Sequence, residues 1–128
     1  MDPEAFRGWL DRYFAAWASN DADDVAALFN EDAVYVYGPF RDDEAHGRDE
    51  IVRRWVEGGV QPGLETWFEP LAVDGERGIA HWRVSFDEGA GRVELDGILA
   101  LDFDGHSRCT LHREWYHRRG VYRPHAGL

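Results

Sequence analysis

The sequence predicts an α+β fold: helices covering one face of a curved, mostly antiparallel sheet. Two observations carry this. Apolar residues recur at three- and four-residue spacing up to Gly59 and at two-residue spacing afterwards. The elements then read helix, helix, strand, helix and a four-strand meander, the order of a layered α+β domain. At 128 residues the chain has a single-domain length, able to bury roughly two thirds of its unfolded surface. One domain over 1–128 is expected, with its core at about 4–119 and a short tail at 120–128.

The first helix opens at "MDPEAFRGWLDRYFAAWASND", with Asp2 as N-cap, Pro3 at the first helical position and Glu4 in the first turn. Phe6, Leu10, Tyr13, Phe14 and Trp17 form its apolar stripe. Asn20 or Asp21 caps a second helix, "ADDVAALF", with Val25, Leu28 and Phe29 on one face. "EDAVYVYG" turns to β-branched and aromatic residues and ends at Gly38-Pro39, which marks a first strand. A loop, "GPFRDDEAHG", precedes the third helix, "RDEIVRRWVEGG", with Ile51, Val52, Trp55 and Val56 inward and glycines at its end. Four strands follow: "LETWFEPLAVDG" with Pro70 at an edge or bulge, "RGIAHWRVSFDEG", "GRVELDGILALDFDG" and "RCTLHREWYHR".

Composition removes several function classes. The net charge of −11 repels nucleic acid and anionic membrane, so neither is an expected partner. No apolar run reaches the roughly 20 residues of a spanning helix, and the N-terminus lacks the pattern of a signal peptide. With a single cysteine, Cys109, the expectation is a cytoplasmic protein without internal disulfides. Every basic residue is arginine, which excludes lysine Schiff-base chemistry. No serine stands in a nucleophile elbow, and no glycine-rich phosphate loop follows a strand.

Chemistry concentrates in the last strand, where His112, Arg113, Glu114, Trp115, Tyr116 and His117 run consecutively. Residues 95 to 103 of the preceding strand alternate cleanly, with Leu95, Gly97, Leu99, Leu101 and Phe103 on the apolar face. A hairpin loop of two or four residues after Phe103 turns Thr110, His112, Glu114 and Tyr116 to that same face; a three-residue loop turns in Cys109, Leu111, Arg113, Trp115 and His117 instead. Asp104-Gly105 favours the two-residue loop, and so the even set. An ionised carboxylate costs several kcal/mol in a dry core, so Glu114 on that face implies a partly wet cavity. In the four-residue register Gly97 lies opposite Glu114 and leaves space beside it.

Three stretches carry a family resemblance: "YFAAWASNDADDVAALFNEDAVY", "HGRDEIVRRW" and "DGILALDFDGHSRCTLHREWYHRR". Over about residues 4 to 119 the chain resembles the nuclear transport factor 2-like superfamily, in particular its SnoaL-like, polyketide-cyclase-like branch. The resemblance implies a cone-shaped barrel of curved sheet wrapped around three N-terminal helices, enclosing a pocket. It also implies homodimers through the outer sheet face, and activities ranging over isomerases, cyclases, dehydratases, epoxide hydrolases and non-catalytic modules. Glu114 stands where related enzymes often place an acid, and Asp96 near where some place a second. Epoxide-hydrolase-like members put an arginine two residues before that second acid. Here the residue is Glu94, which argues against that activity.

The expected function is cofactor-independent acid/base catalysis on a small, largely apolar metabolite, of isomerase, cyclase or dehydratase type. Glu114 moves the proton, His112 or Tyr116 holds the oxyanion, and Asp96 is a further candidate. Tyr13, Trp17, Tyr35, Tyr37, Trp82 and Leu99 are the expected substrate contacts. The alternative is a non-catalytic small-molecule binder or dimeric adaptor. His112 and Glu114 make only a metal half-site, even with His46 or His81 near, so neither metal nor cofactor is expected. Cys109 has no assured thiolate-stabilising neighbour. Arg113, Trp115 and His117 on the outer face are expected at a homodimer contact.

Overall fold

The structure, a computed structural model, describes residues 1–121. Helix α1 (Pro3–Ser19) starts where the Asp2 side chain accepts the Ala5 N–H at 2.7 Å, and it ends at Asn20 in the left-handed conformation. Asp21 caps the short α2 (Ala22–Ala26) by accepting from the N–H groups of Asp23 and Asp24. Then come β1 (Phe29–Val36), β2 (Glu44–His46), α3 (Arg48–Gly58), β3 (Glu65–Asp74), β4 (Arg77–Glu88), β5 (Gly91–Phe103) and β6 (Cys109–Val121). The expected tail at 120–128 begins inside β6, and the rest of it lies outside the described residues.

All strands join one curved sheet in the order β2-β1-β6-β5-β4-β3, antiparallel except where β1 runs parallel to β6. The sheet is open, with β2 and β3 as its edges. The loop expected at 38–47 contains β2, which pairs with β1 through Val34–His46, Tyr35–Ala45 and Val36–Glu44. Phe29 begins β1 rather than ending the second helix, and Val56 is exposed on α3 rather than inward. Pro70 does mark a bulge, since the β3–β4 register shifts between Pro70 and Ala72.

The core lies between the helices and the inner sheet face. Phe6, Trp9, Leu10 and Tyr13 of α1 are buried with Ala80, Trp82 and Val84 of β4 and Leu99, Leu101 and Phe103 of β5. Trp9 stacks on Tyr13, meets Phe29 and Phe103 edge-on, and donates its indole N–H to the Leu28 carbonyl at 3.1 Å.

The β5–β6 hairpin settles which side of β6 faces this core. Its loop has five residues, because Phe103 pairs with Cys109. Asp104 shapes the loop: its Oδ1 accepts from the N–H of His106 at 2.7 Å and of Arg108 at 3.0 Å, and Ser107 takes a left-handed conformation. A five-residue loop alone would turn the odd set inward. A bulge at Thr110 reverses that, since Asp102 pairs with Leu111 and Leu101 with His112. Cys109 is therefore buried, Thr110 is the unpaired extra residue, and from His112 onward the even set faces the helices. Glu114 lies opposite Leu99, and Gly97 opposite Tyr116. Gly97 leaves no room beside Glu114, because a Cβ there would come within 2.0 Å of the Trp115 carbonyl oxygen. Among the described residues no helix is long and apolar enough to cross a membrane.

Candidate functional site

Parallel pairing sets Tyr35 of β1 beside His112 of β6, and their rings stack at 3.7 Å between centroids, tilted by only 10°. On the other side the α1 stripe brings Tyr13, whose ring lies 5.5 Å from the imidazole. The Tyr13 hydroxyl is 2.9 Å from His112 Nε2 and 3.1 Å from the Tyr35 hydroxyl. Two positions along β6, Glu114 Oε1 stands 3.8 Å from His112 Nδ1.

Burial governs the ionisation of this cluster. His112 is fully buried, which pushes its imidazole down to about 3 and keeps it neutral at all ordinary pH. Burial raises the Glu114 carboxyl to about 7, while hydrogen bonding from the Tyr35 hydroxyl pulls the other way. Among the described residues no arginine pairs with Glu114. Its side chain keeps 13% of its surface exposed. The Tyr13 and Tyr35 hydroxyls are raised well above the usual phenol value, by burial first and the Glu114 charge second. Tyr37 is pushed up to about 12 by burial, against the pull of the nearby Arg54. A carboxyl that titrates near neutrality thus stands among phenols that stay protonated.

Beside this cluster lies a cavity of about 230 Å³, walled by Tyr13, Trp17, Tyr35, Tyr37 and Trp55, with Asn20, Arg54 and Gln61 as its polar side chains and Gly58 and Gly59 at its edge. Of the expected substrate contacts, Tyr13, Trp17, Tyr35 and Tyr37 are on its wall. Trp82 and Leu99 are not: both are buried in the core, and the Trp82 indole N–H has no partner among the described residues. Glu114 and His112 do not line the cavity either; they stand behind Tyr13 and Tyr35. Tyr116 faces inward at the far end of β6, against Trp82 edge-on, and stays 44% exposed.

Asp96 is not brought to the site. It projects from the outer face, with His81 Nε2 at 2.7 Å and Arg83 Nε at 3.2 Å. Parity explains this: the inward residues of β5 are odd-numbered, and no bulge intervenes before Asp96. The position facing Glu114 across the ladder is apolar Leu99, so the site has one carboxylate. Arg54, Trp55 and Gln61 were missed as site residues. Trp55 carried a signal, its inward position on α3, but that equally marks plain core. Arg54 pairs with Asp43 at 2.9 Å and lies over the Tyr37 ring at 4.1 Å, and Gln61 accepts the Trp17 indole N–H at 2.5 Å. Neither contact has a local sequence signature. Among the described residues no group of three or more His, Cys, Asp or Glu could hold a metal ion.

Comparison with known proteins bears on the fold. No curated protein sequence matches the chain. A solved structure described as an M. tuberculosis LEH-like epoxide hydrolase superposes with a TM-score of 0.71 at 21% identity, covering 89% of this chain and 83% of that one. At that identity the likeness shows a shared fold. The SnoaL-like domain family matches residues 10–112, from α1 through His112 and just short of Glu114. On that match, and on the α+β architecture that accompanies it, the chain belongs to the SnoaL-like domain family of the nuclear transport factor 2-like superfamily.

Proposed function

We propose that this domain is a cofactor-independent acid/base enzyme acting on a small, largely apolar metabolite, of isomerase, cyclase or dehydratase type. The observation that carries the reading is the Glu114 carboxyl, held to about 7 by burial on the inner sheet face behind an aromatic cavity. A group that titrates near the working pH both accepts and returns a proton efficiently. The protonated hydroxyls of Tyr13, Tyr35 and Tyr37 supply donors for a developing oxyanion, so the ionisable group and the stabilising donors are separate residues. His112 is enclosed behind the tyrosines and serves as their partner rather than as the direct oxyanion donor. The cavity of about 230 Å³ falls below the roughly 300–1,000 Å³ of drug-sized ligand sites, which favours a compact substrate.

Glu114→Gln tests this reading. It preserves shape and hydrogen bonding and removes the titrating proton. On a substrate found by thermal-shift screening and turnover assay, it should lower turnover by two or more orders of magnitude while ligand affinity changes less than about threefold. Unchanged turnover would dismiss the acid/base role of Glu114, and ligands that bind without any turnover would leave a binding module.

The same reading includes a symmetric homodimer through the outer sheet face. What supports it is the exposure of Trp67 and Trp115 there, 41% and 38%, with Trp67 lining a groove of about 640 Å³ that also includes Arg83, Glu94, Asp96 and His117.

A further inference from the structure

Glu114 is off the cavity wall, yet Tyr13 is on it, and His112 lies between the two. We propose that Tyr13, His112 and Glu114 form a proton relay in which the buried imidazole changes tautomer without ever becoming charged. The proposal rests on the acid/base reading of Glu114 and supplies the path by which that carboxyl reaches a substrate it does not touch.

The geometry prescribes two states. With Glu114 ionised, His112 carries its proton on Nδ1, directed at Glu114 Oε1 3.8 Å away, and Nε2 accepts the Tyr13 hydroxyl at 2.9 Å. The Tyr13 oxygen then faces the cavity as an acceptor. A proton leaving the substrate passes to that oxygen, the Tyr13 proton passes to Nε2, and the Nδ1 proton passes to Glu114. One proton leaves the substrate, one carboxylate is neutralised, and tyrosine and imidazole end as neutral as they began. In the second state Glu114 donates to Nδ1 and Nε2–H donates to the Tyr13 oxygen. The Tyr13 O–H is then free to point into the cavity as a donor, where the substrate's negative charge has just appeared.

Three observations support the relay. Among the described residues the fully buried His112 Nδ1 has no hydrogen-bond partner, an arrangement that is costly unless a group such as Glu114 engages it. The 3.8 Å separation is longer than a hydrogen bond, but such contacts in unliganded sites commonly tighten on binding. Tyr35, stacked on the ring at 3.7 Å, fixes the imidazole plane so that its two nitrogens keep their assigned neighbours. The ionisable groups packed around the pair are Tyr13 from α1, Tyr35 and Tyr37 from β1, and Cys109 and Tyr116 from β6, with Arg54 of α3 behind Tyr37. Burial raises the phenols and the thiol, and Arg54 remains a cation, so of these groups and the pair itself only Glu114 changes charge between pH 5 and 9.

The test is ¹⁵N-histidine NMR on the unliganded chain, with the His112 signals assigned by their loss in His112→Gln. At pH 8.5 the ring should be predominantly the Nδ1–H tautomer and at pH 5.5 predominantly Nε2–H, with no imidazolium at either. The midpoint should coincide with that of the Glu114 carboxyl carbon, read on the same wild-type sample, and Glu114→Gln should abolish the change. One tautomer throughout, a ring that becomes charged, or a change that persists in Glu114→Gln overturns the relay. The two ideas fail separately. Turnover lost in Glu114→Gln with a fixed tautomer removes the relay and keeps the acid/base reading, whereas a tautomer switch with turnover intact removes that reading, and with it the relay's part in the reaction, and leaves only the coupling of the His112 tautomer to Glu114.

Discussion

Glu114 and His112 pull stability in opposite directions as pH changes. Glu114 titrates at about 7 when folded and near 4.5 when unfolded, so the native state binds the extra proton. Its contribution is fully present below pH 4.5 and is lost as pH rises through 7, on the order of 3 kcal/mol. His112 titrates at about 3 when folded against 6.5 unfolded, so its contribution is full above pH 6.5 and is lost as pH falls towards 3. Between pH 4.5 and 6.5 the two slopes nearly cancel, which predicts a plateau bounded by acid unfolding below it. Glu114→Gln removes only the first effect. Its melting temperature should match wild type near pH 4.5 and exceed it at pH 8 by roughly 10 °C, the value for about 3 kcal/mol in a domain of this size. Equal melting temperatures at pH 8 would mean that Glu114 is solvated as an ordinary surface carboxylate. The sequence carried the identity of both residues, because an acid and an imidazole two apart on a strand beside an apolar ladder must face inward or outward together. It did not carry the Tyr13–His112 and Tyr35–His112 contacts, which join residues 99 and 77 positions apart through the α1 crossing and the parallel β1–β6 pairing.

The hairpin before β6 decides which side those residues face, and its shape was only half legible. Asp104-Gly105 marks a turn, but a five-residue loop followed by a bulge gives the same facing as a two-residue loop without one. The inward placement of His112 and Glu114 was therefore reached from a loop length the protein does not use. The same shift moves Gly97 from opposite Glu114 to opposite Tyr116 and gives it a different purpose, close approach of β6 to β5. Gly97→Ala should drive a methyl into the Trp115 backbone carbonyl, which cannot rotate aside, so the ladder must open at a cost of about 2 kcal/mol or more. Gly105→Ala in the loop meets nothing within 4 Å and should stay within about 0.5 kcal/mol of wild type. Urea denaturation of both variants reads the difference, and equal midpoints would refute the tight β5–β6 contact. Long periodic elements such as α1, β4 and β5 were readable because each repeats its pattern over three or more turns or pairs. β2 was not, since three residues within a polar loop repeat nothing and owe their extension to β1.

At the scale of the whole molecule, the proposed homodimer of a chain with a net charge of −11 would have to form against the mutual repulsion of its two copies. The outer face has the area for it. Six strands about 4.8 Å apart, with central strands some 40 Å long, present on the order of 1,000 Å², against roughly 800 Å² per partner in a stable interface. That face is also locally balanced: Glu94 pairs with Arg119 at 2.7 Å and Asp96 with His81 and Arg83, so it meets its own copy with little net charge while the acid excess lies elsewhere. In such a dimer the repulsion is long-range and screenable, whereas the attraction is the short-range burial of Trp67 and Trp115. Sedimentation equilibrium should accordingly show dimers that tighten severalfold between 20 and 300 mM salt, the reverse of an interface built on ion pairs. Trp115→Glu removes the central aromatic surface and adds a like charge to each copy. It should give monomers at concentrations where wild type is dimeric, with an unchanged circular dichroism spectrum because the side chain is already 38% exposed. A wild-type chain that stays monomeric at 100 μM and 300 mM salt would show that the outer face is simply a solvated surface.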